Sequence, residues 1–202
     1  VKSTNAKSGN AILMNPHNGE IIAIASAPDF DPNNVNLSTS EERLNRVLQS
    51  NYEMGSTFKP LTIAMAIDKN LITKDMKFDV SKPIKNTIRD WEPCKCLLTV
   101  KEILVKSSNI GTAQIALKIG KKNQKDFLNK LGFFEKIDTQ LFEAEKPIGN
   151  PNNWREHETT RIGFGHSFSI TPLHLVKAYA SLANDGNLVN PTFVLNNEKK
   201  SV

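Results

Sequence analysis

A serine and a lysine three residues apart, in Gly55-Ser56-Thr57-Phe58-Lys59-Pro60, are the residues of this chain best suited to covalent chemistry. If Ser56 opens a helix, Lys59 lies one turn on along the same face, where its amine can reach the serine oxygen. A serine hydroxyl is a weak nucleophile until an adjacent base takes its proton. Lysine serves as that base once burial or a neighbouring positive charge brings its pKa towards neutrality. A helix N-terminus would favour the negative charge developing at Ser56. Pro60 lacks an N–H and disfavours α geometry at Lys59, which predicts a tight or irregular first turn.

The spacing alone says little. With 14 serines and 21 lysines in 202 residues, chance supplies about one or two Ser-x-x-Lys matches, and the sequence holds one. A second candidate is Ser107-Ser108-Asn109, a hydroxyl and an amide at the junction of two helical stretches. Ser-x-Asn also occurs at Ser3-Asn5 and Ser8-Asn10, but only Ser107 and Asn109 follow the Ser-x-x-Lys on such a junction.

The elements that must hold these residues are mostly helical. Leu61 to Lys69 has helical apolar spacing, and Thr99-Val100-Lys101-Glu102 is a capping box that starts a helix to about Lys106. Ile110 to Lys118 and Lys122 to Leu131 are two further runs, the second stopped by Gly132. Thr171-Pro172 opens a helix to about Asn184, and Asp185-Gly186 closes it. Residues 28–50 read as loop followed by a short helix, and Leu188 to Leu195 as extended. Ala11 to Met14 and Ile21 to Ala25, joined through Asn18-Gly19, form the strongest hairpin signal. Both strands are apolar on both faces, so they call for cover and for partner strands, and few candidate strands exist. The sheet reads as incomplete, with an apolar edge prone to self-association.

Composition narrows the function classes. At 39% hydrophobic and 23% charged the chain is ordinary for a globular protein, long enough for one domain or two small ones. No apolar run approaches the ~18 residues of a membrane span. The net charge of +5 is dispersed and only 7% of residues are aromatic, which argues against nucleic acid as a partner. Cys94 and Cys96 make a poor disulfide pair and a poor zinc motif, so free loop thiols are expected. His157, His166 and His174 have no orienting carboxylate at an obvious spacing and read as structural or site-edge residues. Trp91 and Trp154 read as packing anchors, and Glu143 and Glu145 as solvated loop residues.

Taken together, the motifs resemble the class B penicillin-binding proteins, the division-septum peptidoglycan D,D-transpeptidases. Ser-x-x-Lys followed by Ser-x-Asn is the order found in penicillin-recognising serine enzymes. Tyr52-Glu53-Met54-Gly55-Ser56-Thr57-Phe58-Lys59-Pro60 is similar to the family's YEPGSTFKP, with Met54 in place of proline. Leu98 to Gly111 is similar to its second-motif helix and loop, and Gly19 to Ser26 with Asp29 to Asn33 to its hairpin and loop. Gly163-Phe164-Gly165-His166-Ser167-Phe168-Ser169-Ile170-Thr171-Pro172-Leu173 is similar to its G-[YH]-G-x-x-x-T-P-L segment. Ser167 stands where the family usually has a second glycine, at a cost if that position needs a positive φ.

The resemblance implies an α/β fold of the penicillin-binding and serine β-lactamase kind, a helical subdomain plus the first hairpin of an antiparallel sheet. It implies that residues 1–202 are part of one transpeptidase domain, with Ser56 as nucleophile, Lys59 as base, Ser107 as proton relay and Asn109 holding the donor amide and positioning Lys59. It implies no cofactor and no metal. The partners implied are peptidoglycan stem peptides, β-lactam antibiotics and divisome membrane proteins. The place implied is the periplasmic face of the bacterial inner membrane, anchored by an N-terminal segment outside this sequence. The family's third motif, K-[TS]-G, does not follow Asn109 here; the one Lys-Ser-Gly, at residues 7–9, precedes the nucleophile and is read as the approach to the first strand. Without that motif's strand the sheet lacks its C-terminal strands, and the 202 residues alone are expected to be inactive. Competing readings are a β-lactamase or carboxypeptidase, which would hydrolyse the acyl-enzyme, and a non-catalytic scaffold or sensor.

Overall fold

The computed structural model describes residues 1–149 and 154–194. In chain order the strands are β1 (Gly9–Met14), β2 (Ile21–Ala27), β3 (Tyr52–Glu53), β4 (Lys77–Asp79), β5 (Leu97–Thr99) and β6 (Ser169–Ile170). The helices are α1 (Arg46–Gln49), α2 (Lys59–Asp68), α3 (Val100–Val105), α4 (Asn109–Lys130), α5 (Glu156–Gly163) and α6 (Pro172–Leu182). The chain divides into two compact units. The first comprises Val1–Asn51, Glu135–Pro147 and Ile170–Val202, and the second Tyr52–Phe134 and Ile148–Ser169.

In the first unit β1 and β2 form the expected antiparallel hairpin, with Ile12 opposite Ile24 and an irregularity between Leu13 and Met14. Alternation along the strands sends Ile12 towards the core formed by Val47, Leu48, Ile137, Ala144 and Leu173. The opposite face, Ala11, Leu13, Ala23 and Ala25, is exposed, so the sheet here is two strands covered on one side only. α1 and α6 supply that cover. Helix α6 begins as its sequence directs: the Thr171 hydroxyl accepts from the His174 N–H and Pro172 occupies the first turn. The segment read as extended, Leu188 to Leu195, forms only an isolated bridge of Thr192 to Glu20, and Leu195 lies outside the described residues. Thr192 accepts from the Ile21 N–H at the start of β2 and donates to Gly19 O.

In the second unit α4 packs against α2, α3 and α5. The two runs expected as separate helices, 110–118 and 122–131, are two helical stretches of α4 that meet at Gly120, whose φ of 75° and ψ of 156° break the helical path between them. Gly132 ends the run with φ 80°, as its C′ position requires. A cluster of rings closes the core: Phe58 lies 5.9 Å from Phe133, and Phe134 meets both Trp154 (6.1 Å) and Phe168 (5.8 Å). Trp154 is therefore a packing anchor, whereas Trp91 is 95% exposed and anchors nothing. A second correction concerns the cysteines. Cys94 and Cys96 are bonded to each other, because the loop turn between them brings their Cα atoms to 5.3 Å. Helix α5 and the short β4–β5 pair were not anticipated. The first contains two threonines and a glycine, and the strands are three residues each, too short for a period to show.

Candidate active site

Ser56 and Lys59 sit where a 3₁₀ turn, Gly55–Phe58, passes into α2. The irregular first turn predicted from Pro60 is that 3₁₀ segment. Lys59 is 1% exposed while Ser56 is exposed, so the turn buries the amine and presents the hydroxyl. Burial pushes the Lys59 pKa down from 10.5 to about 8, against the opposing pull of the Asp90 carboxylate. The amine thus comes within reach of neutrality.

The amine does not bond Ser56 directly. Lys59 Nζ donates to the Ser107 hydroxyl at 2.9 Å and to the Ser107 carbonyl, and Ser107 Oγ donates to Ser56 Oγ at 2.9 Å. The three side chains form a hydrogen-bonded line with Ser107 in the middle. Ser107 reaches that position from the end of α3. Its N–H bonds Leu104 O and the next N–H, Ser108, bonds Ile103 O, the paired bonds of a Schellman ending. Ser107 is the left-handed residue of that ending, with φ 54°, a position that usually belongs to glycine. Ser108 then caps α4, accepting from the Gly111 N–H at 2.9 Å. Asn109, the first residue of α4, donates its amide to Arg89 O at 3.0 Å rather than to Lys59.

The segment 163–168 braces the Ser56 turn. Gly55 N–H donates to Gly165 O at 3.0 Å, and Glu53 accepts from the Ser167 N–H at 2.6 Å. Gly55, Gly165 and Ser167 all have positive φ, at 55°, 82° and 64°, so the serine in the usual glycine place does adopt the strained conformation. A Cβ on Gly165 would stand 2.2 Å from Gly55 O. Gly165→Ala is accordingly expected to destabilise the protein by about 2–5 kcal/mol, from the left-handed backbone and the overlap together. It should displace the Gly55–Ser56 turn and slow acylation as well; thermal melts and labelling rates of the variant measure both.

The histidines stand apart from this line. His174 is buried in the first unit, bonded to Thr171 Oγ1 and Glu135 O, and burial pushes its pKa down to about 4, so it is a neutral core residue. His166 is exposed and its ring meets that of Phe164 at a tilt, with centroids 5.1 Å apart. His157 is exposed. Glu145 is exposed and Glu143 accepts from Asn45 in the first unit. Residues that sequence reasoning missed are Asp90, Arg89 and Glu53. Glu53 lies inside the Tyr52–Pro60 motif with no role read for it, and no local pattern marks Arg89 or Asp90, although the Asp-Trp pair follows a turn whose Lys85 and Asn86 have positive φ.

Residues 9–201 match the family described as the penicillin binding protein transpeptidase domain. The chain is 36% identical over 185 residues to a probable peptidoglycan D,D-transpeptidase FtsI of Caulobacter vibrioides, covering 90% of this chain and 31% of that protein. It is 31% identical over 201 residues to a probable peptidoglycan D,D-transpeptidase PenA of Neisseria meningitidis, covering 98% of this chain and 34% of that protein. Among solved structures, the apo transpeptidase domain of Burkholderia pseudomallei penicillin-binding protein 3 superposes with a TM-score of 0.85 at 24% identity, over 98% of this chain and 57% of that one. The chain thus spans about a third of the length of the curated relatives it matches. With the α/β fold, the Ser-x-x-Lys turn and the Ser-x-Asn junction in place, the chain belongs to the transpeptidase domain family of the class B penicillin-binding proteins.

Proposed function

We propose that residues 1–202 are part of one transpeptidase domain whose parent protein cross-links peptidoglycan stem peptides through an acyl-enzyme at Ser56, and that β-lactams acylate the same serine. The observation that carries this is the unbroken line from Lys59 Nζ through Ser107 Oγ to Ser56 Oγ, beside a lysine whose pKa is about 8. With Lys59 neutral, the donors in the line reverse. Ser56 gives its proton towards Ser107, Ser107 gives its own to Lys59, and the serine oxygen attacks the carbonyl. The same line run backwards delivers a proton to the leaving amine. Asn109 holds the donor amide, and the Ser56 N–H, in the first turn of a 3₁₀ segment, is one oxyanion donor. The acceptor is a stem-peptide amine, which distinguishes the reaction from hydrolysis. Divisome membrane proteins as partners, and the periplasmic face of the inner membrane as the place of action, are part of the same proposal; among the described residues no helix is long and apolar enough to cross a membrane.

The 202 residues contain no Lys-Thr-Gly or Lys-Ser-Gly after Asn109. Taken alone they lack the second oxyanion N–H that the resemblance assigns to that motif, and one such donor is worth about 10²–10³ in rate in a serine protease. The test is a fluorescent penicillin incubated with the full-length protein and with the 202 residues alone. A single adduct on the peptide containing Ser56 is expected, fast in the former and slow or absent in the latter. An adduct on another residue, or rapid stoichiometric labelling of the 202 residues alone, would contradict the proposal. Fast release of the bound acyl group would indicate a hydrolase.

A further inference from the structure

Ser107 holds its hydroxyl between Lys59 and Ser56 from a left-handed backbone, a conformation that persists only where neighbours over-determine it. The neighbour that does so comes from the loop joining β4 to β5. Ile84 and Ile88 pair across a tight turn at Lys85-Asn86, and buried Ile88 pins this small hairpin to the unit. The residues that follow then face the start of α4. Arg89 O accepts from the Asn109 amide. Both carboxylate oxygens of Asp90 are used: Oδ2 accepts from the Ser108 hydroxyl at 2.7 Å and Oδ1 from the Ile110 N–H at 2.9 Å.

Ser108 is 2% exposed, and its oxygen also accepts from the Gly111 N–H. Asp90 therefore completes the cap of α4: one oxygen satisfies the Ile110 N–H, a donor that the helix itself leaves free, and the other holds the hydroxyl of the capping Ser108. It grips the chain on the C-terminal side of Ser107, while the Schellman bonds to Ile103 and Leu104 grip the N-terminal side. A turn held from both ends cannot relax to an extended backbone, which would swing the Ser107 hydroxyl out of the line.

We infer that Asp90 is a positioning residue of the active site, holding Ser107 between base and nucleophile through its bidentate clasp on Ser108 and Ile110. The inference rests on the acyl-serine function proposed above. Asp90 has a second, separable effect: its negative charge favours the protonated form of Lys59. Loss of the clasp and loss of the charge should leave different signatures on acylation.

The experiment measures penicillin acylation rates against pH in the full-length protein for wild type, Asp90→Asn and Ser108→Ala, with thermal melts of each. Ser108→Ala keeps the charge and removes one arm of the clasp; the rate should fall about 10-fold at every pH, with the acid limb unmoved. Asp90→Asn keeps the shape but loses the charge and one acceptor. Its plateau should fall about 10- to 100-fold, and its acid limb should move to lower pH as Lys59 loses a proton more readily. Wild-type plateaus in either folded variant would overturn the positioning role. If Asp90→Asn does not fold, Ser108→Ala alone decides. Failure of wild type itself to form an adduct at Ser56 would instead overturn the proposed function.

Discussion

Ser56→Ala in the full-length protein is expected to abolish the penicillin adduct while leaving the fold unchanged. The rate loss should be about 10⁶-fold, the scale seen when a serine hydrolase loses its nucleophile. Ser56 is exposed and its side-chain bond is to Ser107, which is itself exposed and can bond water instead. Its removal should therefore shift stability by no more than about 0.5 kcal/mol. Labelling followed by peptide mapping checks the first part, and a thermal melt the second. In cells, the proposed function predicts that a strain relying on the Ser56→Ala protein loses peptidoglycan cross-linking. Retained cross-linking and viability would favour the scaffold reading, and labelling of the variant at the wild-type rate would place the nucleophile elsewhere.

Lys59→Met should slow acylation by about 10²–10⁴-fold, the usual contribution of a positioned base. The pH dependence follows from the pKa of about 8. The neutral amine is the active form, so the wild-type rate should level off above that pH and fall about tenfold per unit below it. The methionine variant should be slow and flat over the same range. Stability moves in a related way. The folded lysine, at about 8, holds its proton less tightly than the unfolded one near 10.5. Between those values the unfolded state binds more protons, so wild-type stability rises with pH relative to Lys59→Met; below about 8 the full cost of burying the charge is present. Melting temperatures of the two proteins at pH 7 and pH 10 measure this. A difference that stays constant with pH would mean that Lys59 titrates normally.

Two strained backbone positions flank the Ser56 turn. Ser107 and Ser167 are both left-handed, the first with its hydroxyl between Lys59 and Ser56 and the second tied to Glu53. Each has a backbone that glycine would adopt more readily, and each is held by bonds from residues distant in sequence. Ser107 accepts the conformation because it must present an oxygen there, which glycine cannot do. For Ser167 the structure shows the constraint and no matching benefit.

Much of this was legible in the residues themselves. The capping box at Thr99 and Glu102, the Thr171-Pro172 helix start, the stops at Gly132 and Asp185-Gly186 and the hairpin after Gly9 all appear where local rules put them. So does the irregular turn ahead of Pro60, since a missing N–H and a fixed φ act on adjacent residues. Those rules span at most a few positions, and the pattern of motifs was enough to indicate the family. The disulfide and the exposed Trp91 were misjudged, because composition and spacing do not say how a loop returns on itself.

What tertiary structure alone decided is how the motif residues meet. Sequence put Lys59 one turn from Ser56; only packing buried the amine to 1% exposure and turned it towards Ser107. It placed Ser107 at a helix junction, but the left-handed backbone and the clasp from Asp90 come from contacts between residues 18 to 51 positions apart. Local propensity reaches one helical turn. Desolvation of a lysine and bracing of a strained serine are properties of the environment that the rest of the chain builds around them.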